Sequence, residues 1–171
     1  MKSKPCYAFI DSQNLNLGIK SKGWRLDFKK FRIYLKNKYG VERAYLFIGF
    51  IPGNEKLYSN LKRFGYILIF KPVLEFKEKV KGNVDAELVL HCILEMRNYG
   101  KAIIVSGDGD FYCLVEYLES KGKLLNILVP TKQYSSLLRR FNKDNYIVRI
   151  DLLRESLEKK DWHSRSVETL G

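Results

Sequence analysis

Residues 102–111 read AIIVSGDGDF, an apolar and β-branched run that stops at two aspartates, Asp108 and Asp110, with one glycine between them. A short run of this kind, bounded by turn residues, predicts a strand covered on both faces and followed by a tight turn. A second run, Tyr7 to Ile10, stops at Asp11 within YAFIDSQNLN, and between the two Asp85 opens the apolar stretch of KGNVDAELVL. Carboxylates delivered to the carboxyl ends of two parallel strands can converge on one point. An oxygen-only donor set of high charge suits magnesium or manganese.

The same grammar extends along the chain. Short apolar runs at 44–50, 66–70, 125–129 and 146–150 also predict strands. Segments with helical spacing fall between them, roughly at 27–39, 54–64, 84–99, 110–120 and 133–141. The alternation predicts an α/β domain over residues 1–150, with a mainly parallel sheet between two layers of helices. Residues 151–171 form a short C-terminal extension, a helical stretch from Leu152 to about Lys160 and a polar tail, WHSRSVETLG, expected to fray. In such folds a ligand sits outside the carboxyl ends of the strands where the strand order reverses. If the order is 3-2-1-4-5, the reversal falls between strands 1 and 4, which carry Asp11 and the Asp108–Asp110 pair. Asp85 shares a helical stripe with Leu88, Val89, Cys92 and Met96, so it faces inward with core residues, and a cation would supply the partner that an inward carboxylate needs.

Composition narrows the partner. At 171 residues and 46% hydrophobic, the chain has material for one well-filled core. Its 31 Lys and Arg against 19 Asp and Glu give a net charge of +12, which favours phosphate-rich partners over anionic membrane. No apolar run approaches the roughly 20 residues of a membrane span, and MKSKPC has no signal-peptide core, so a soluble cytoplasmic protein is expected. Cys6, Cys92 and Cys113 lack metal spacing and read as reduced core residues. Basic residues cluster at 20–38, at 71–81 and at 139–143; Lys29, Lys30 and Arg32 are placed along a nucleic-acid track. Phosphate-loop and dinucleotide fingerprints are missing, and two histidines, His91 and His163, do not make a zinc site or a serine triad. Each aspartate alone has an ordinary reading as a turn or cap residue. All of them at the switch edge of one sheet favour a site.

The combination YAFIDSQNL, KGNVDAELVL and IIVSGDGDF closely resembles the NYN domains of the LabA-like branch, within the larger group of PIN-like nucleases, over about Tyr7 to Val129. The resemblance implies a Rossmann-like α/β domain of 3-2-1-4-5 order and a ribonuclease using Mg2+ or Mn2+. Carried over by motif, Asp11 is the first metal-binding acid and Asn14 its polar neighbour. Asp85 is the central acid, and Asp108 and Asp110 are the pair after strand 4, with Ser106 beside them. Every acidic position is filled, so an active enzyme is expected. It would hydrolyse RNA phosphodiester bonds with one or two divalent ions and act on RNA, preferably single-stranded. Lys81 is assigned to neutralise the scissile phosphate, and a homo-oligomer is allowed. The rival is a non-catalytic RNA-binding or scaffold module on the same fold. A phosphatase of the haloacid dehalogenase type would want an aspartate two residues after Asp11, where Gln13 stands.

Overall fold

In strand β1 (Cys6–Asp11) every residue is buried, and alternate side chains enter two different cores. Ala8 and Ile10 point to one side, Tyr7 and Phe9 to the other. That is why the run is apolar at consecutive positions rather than at every second one. The computed structural model describes residues 4–71 and 84–160. The remaining elements are α1 (Ser12–Lys20), α2 (Phe28–Tyr39), β2 (Val41–Gly49), α3 (Glu55–Arg63), β3 (Tyr66–Lys71), α4 (Val84–Leu94), β4 (Lys101–Val105), α5 (Tyr112–Ser120), β5 (Leu124–Val129), β6 (Ile147–Arg149) and α6 (Arg154–Leu157).

The strands form one sheet in the order β3-β2-β1-β4-β5-β6, and each neighbouring pair is parallel. The expected 3-2-1-4-5 arrangement is present, with β6 added beyond β5. On one face Leu15 and Ile19 of α1 pack with Phe31 and Leu35 of α2. On the other, Leu88 and Cys92 of α4 pack with Leu114, Val115 and Leu118 of α5. Phe9 stacks on Tyr45 across β1 and β2, with ring centroids 5.3 Å apart and 4° between planes. Among the described residues no helix is long and apolar enough to cross a membrane.

Several elements depart from the expectation. Sequence spacing predicts no helix before residue 27, yet α1 starts directly at Ser12, because the Asp11 carboxylate accepts the Asn14 N–H and caps it. Its buried residues are Ser12, Leu15 and Ile19, an apolar stripe too narrow to stand out in SQNLNLGIK. The stretch at 84–99 is α4 followed by a 3₁₀ turn at Glu95–Arg97, and the one at 110–120 opens with a 3₁₀ turn at Gly109–Phe111. Residues Ser136–Asn142 are 3₁₀ rather than α-helical. The C-terminal stretch is a 3₁₀ turn at Ile150–Leu153 and then the short α6. Leu157 is buried in the core, and Glu158 bridges to Leu26 in antiparallel fashion, so this extension is pinned to the domain. The tail expected to fray lies outside the described residues. Cys6 and Cys92 are buried as expected, but Cys113 is exposed on the outer side of α5.

Gly18 marks where α1 touches the chain beyond β5: a Cβ there would run into the Cβ of Pro130, a rigid ring that cannot rotate away. Alanine is favoured over glycine inside a helix by about 1 kcal/mol. Overpacking against fixed atoms costs about 1–3 kcal/mol. Gly18→Ala is therefore expected to lower stability, by about 1 kcal/mol in urea unfolding, against the usual sign for this replacement. A raised midpoint would show that the α1–Pro130 contact yields.

Candidate metal centre

β1 and β4 lie side by side with Ile10 opposite Val105, so the residues that follow, Asp11 at the end of β1 and Ser106 just beyond β4, come at the same edge of the sheet. Ser106 is fully buried. Its hydroxyl donates to Oδ2 of Asp11 at 3.4 Å and accepts the N–H of Asp108 at 3.1 Å. Asn14 ties the same two chain segments from the other side. Its N–H donates to Oδ1 of Asp11 at 3.1 Å, and its Oδ1 accepts the N–H of Gly107 at 2.8 Å. Both residues, which the resemblance sets beside the acids, thus make hydrogen bonds between the two strand ends.

The turn GDGD is a cap and a cluster at once. One oxygen of Asp108 accepts the N–H of Asp110 at 3.0 Å and starts the 3₁₀ turn. The glycines let this turn lie flat on the loop after β5, where the Ser135 N–H donates to the Gly107 carbonyl at 2.9 Å. A Cβ on Gly109 would strike the Ser135 side chain, and one on Gly107 would lie 3.1 Å from the Cβ of Tyr134.

Asp85, Asp108 and Asp110 each bring a carboxylate oxygen to one place, all within 4.8 Å of one another. Asp85 and Asp108 are partly buried and Asp110 is exposed. Asp11 is 5% exposed, and its two oxygens accept from Asn14 and Ser106. Burial pushes the Asp11 carboxyl up from its ordinary range; the Asn14 and Ser106 donors oppose that shift, and the charge of Asp108 adds to it. Asp85 is pushed up to about 6, first by burial and then by the negative charges of Asp108, Asp11 and Asp110. Three of the predicted acids therefore approach one another directly, and Asp11 is coupled to Asp85 and Asp108 through its charge.

Lys71, the last residue of β3, pulls both Asp11 and Asp85 downward. Sequence reading counted it only as one cation of a basic cluster; its place at the end of the third strand was the available signal. Lys81 lies outside the described residues, as do Lys77 and Lys79. Other basic residues are tied into the fold. Lys30 donates to the Glu158 carbonyl, and the Arg32 guanidinium donates to the carbonyls of Gly65, Val41 and Glu42. Of the expected track residues Lys29, Lys30 and Arg32, that leaves Lys29. Arg140 pairs with Glu116 and Glu119.

The donor set fits a hard divalent ion. Oxygen ligands of this charge suit magnesium or manganese, whereas zinc sites draw on nitrogen and sulfur. Asp85 and Asp110 also line an open surface depression of about 590 Å3 together with Ala86, Val89, Leu90 and Ile93 of α4.

The family model described as NYN domain matches residues 6–155. The chain is also similar to the low amplitude and bright protein LabA of Synechococcus elongatus, 27% identical over 164 residues that cover 90% of this chain and 87% of that protein. A crystal structure of a Vibrio parahaemolyticus protein of unknown function shares the fold, with a TM-score of 0.76 at 22% identity, covering 93% of this chain and all of the other.

The crowding of carboxylates has a signed consequence. Asp85 binds a proton more tightly in the folded protein, about 6, than at its ordinary value of 3.8. Its contribution to stability is therefore complete below about pH 4 and is lost as pH rises through about 6. Metal-free Asp85→Asn is expected to show a flatter stability profile across that window and a higher Tm than the parent at pH 7.5. Magnesium or manganese should raise the parent's Tm and leave the variant's nearly unchanged. A variant less stable than the metal-free parent at pH 7.5 would contradict this account of the cluster.

Proposed function

The chain belongs to the NYN domain family, and from that premise we propose that it is a divalent-metal-dependent ribonuclease that hydrolyses RNA phosphodiester bonds at the aspartate cluster. The observation that carries the reading is the approach of Asp85, Asp108 and Asp110 to within 4.8 Å at the switch edge of a parallel sheet, in a chain of net charge +12. A cation received among these carboxylates would relieve their mutual repulsion.

In this reading Asp85, Asp108 and Asp110 hold magnesium or manganese. A divalent ion bound there supplies Lewis acidity, making water a better nucleophile near neutral pH and offsetting charge on the leaving oxygen. Asp11 adds negative charge and, through Ser106 and Asn14, fixes the distance between the β1 and β4 ends. Asp110, the most exposed of the four acids, is placed to accept a hydrogen bond from the attacking water and hold it in line. Lys71 offsets part of the negative field where a phosphate must approach, and Lys81 keeps the role of scissile-phosphate partner within the proposal. Asn14 and Ser106 act by position rather than by contact with substrate.

Asp108→Asn is the informative replacement, because an amide oxygen can still accept the Asp110 N–H while the charge is lost. Purified protein with magnesium or manganese is expected to cleave labelled RNA and to spare DNA of the same sequence. EDTA should abolish cleavage. Asp108→Asn should reduce it at least ~100-fold at an unchanged circular-dichroism spectrum. Cleavage that persists in EDTA would refute the mechanism. RNA binding without cleavage in either metal would replace the nuclease with the non-catalytic RNA-binding module.

A further inference from the structure

On the α1/α2 face of the sheet lies a groove of about 460 Å3, within the ~300–1,000 Å3 range of ligand pockets. It forms between α1, the first turn of α2 and α3, and Ser12 lines it. Ser12 follows Asp11 directly in the chain, so one lining residue of the groove adjoins the acid at the end of β1.

Its lining combines cations with apolar side chains. Lys20, Arg25, Lys29 and Lys159 line it, and all four are exposed. Among the described residues none of these side chains is held by a carboxylate or a backbone carbonyl, in contrast to Lys30, Arg32 and Arg140. The one acid in the lining, Asp27, is turned to another use: its carboxylate caps α2 by accepting the N–H groups of Lys29 and Lys30 at 2.9 and 3.1 Å. The lining also carries apolar side chains, among them the half-buried ring of Phe28 and the 46%-exposed Leu57, beside the polar Asn16 and Asn60.

Unengaged cations beside apolar side chains match a polymer that alternates anionic phosphates with flat, weakly hydrated bases. A duplex hides those bases and presents phosphate alone, which leaves the apolar side chains without a partner. We propose that this groove is the track along which an unpaired RNA strand reaches the acidic cluster, its phosphates on Lys20, Arg25 and Lys29 and a base over Phe28 and Leu57. The assignment rests on the ribonuclease reading and names the form of substrate that reading takes.

Binding and cleavage separate the two claims. The full chain is titrated in EDTA, and again with magnesium, against a fluorescein-labelled 12-nucleotide oligouridylate and a labelled RNA duplex, with anisotropy as readout. Lys20→Ala/Arg25→Ala/Lys29→Ala is expected to raise the single-strand Kd about tenfold and to flatten the log–log salt slope by about 2, at ~0.7 per lost phosphate contact. Leu57→Glu, a replacement at an exposed position, should weaken the single strand and leave the duplex unaffected. Lys36→Ala/Lys38→Ala, which removes charge from the last turn of α2 away from the groove, should bind as the parent does. Equal losses in the groove and control variants would overturn the track in favour of diffuse attraction, and so would parent-like binding by the groove variant or a parent that prefers duplex. In each of those cases metal-dependent cleavage by the parent leaves the ribonuclease reading standing. A parent that neither binds nor cleaves RNA overturns both.

Discussion

Asn14 and Ser106 hold the ends of β1 and β4 at a fixed spacing, and the rest of the site depends on that hold. Two strands in a parallel sheet end at the same edge but need not present their next residues in any set relation. Here the buried Ser106 hydroxyl donates to one oxygen of Asp11, while the Asn14 N–H donates to the other. The Asn14 amide oxygen then reaches across to the Gly107 N–H. A slip of the β4 end would leave a buried hydroxyl and a buried carboxylate oxygen without partners, at about 1–3 kcal/mol each. The GDGD turn therefore starts from a fixed point. Its glycines lay it against Tyr134 and Ser135, and Asp108 and Asp110 inherit their positions from both constraints.

The acids are tolerated because the surrounding molecule divides their burden. Asp11 is buried but accepts two hydrogen bonds, while Asp85 lies in the first turn of α4, where the exposed N–H groups favour negative charge. Asp110 remains in water. Lys71 contributes a positive charge from the end of β3. Asp85 is partly withdrawn from water beside the other acids, and that burial, followed by the charges of Asp108, Asp11 and Asp110, lifts its carboxyl to about 6.

Much of this was legible in the residues. Consecutive apolar positions bounded by Gly, Asp and Asn marked the doubly covered strands, and the stripe of Leu88, Cys92 and Met96 turned Asp85 inward, as the packing of α4 shows. The helix α1 escaped because its buried face is short and its composition is that of a turn. The same polar composition concealed the groove, which brings together residues of α1, α2, α3 and the C-terminal segment that no local spacing connects. Nor could sequence separate the engaged cations from the unengaged ones. Lys29, Lys30 and Arg32 are near neighbours in the chain, yet Lys30 reaches Glu158 far along it and Arg32 gathers three carbonyls from two other segments.

The helix that sequence missed also joins the two halves of the proposed function. Asp11 ends β1, caps α1 and lends its charge to the acidic cluster, while Ser12 one residue later faces the groove. Truncating Asp11 to alanine would remove a cap worth about 1 kcal/mol, orphan the Ser106 hydroxyl and delete a charge, so that loss of activity could not be traced to any one of them. Asparagine retains an oxygen for the Asn14 N–H and turns an amide toward Ser106, whose hydroxyl can rotate from donor to acceptor. The cap is then kept, while the charge and the acceptor of the Ser106 O–H are lost. At Asp85 and Asp108 the same replacement acts on residues that approach one another directly, and comparison across the three positions separates the charge that gathers an ion from the hydrogen bonds that keep β1, α1 and β4 in register.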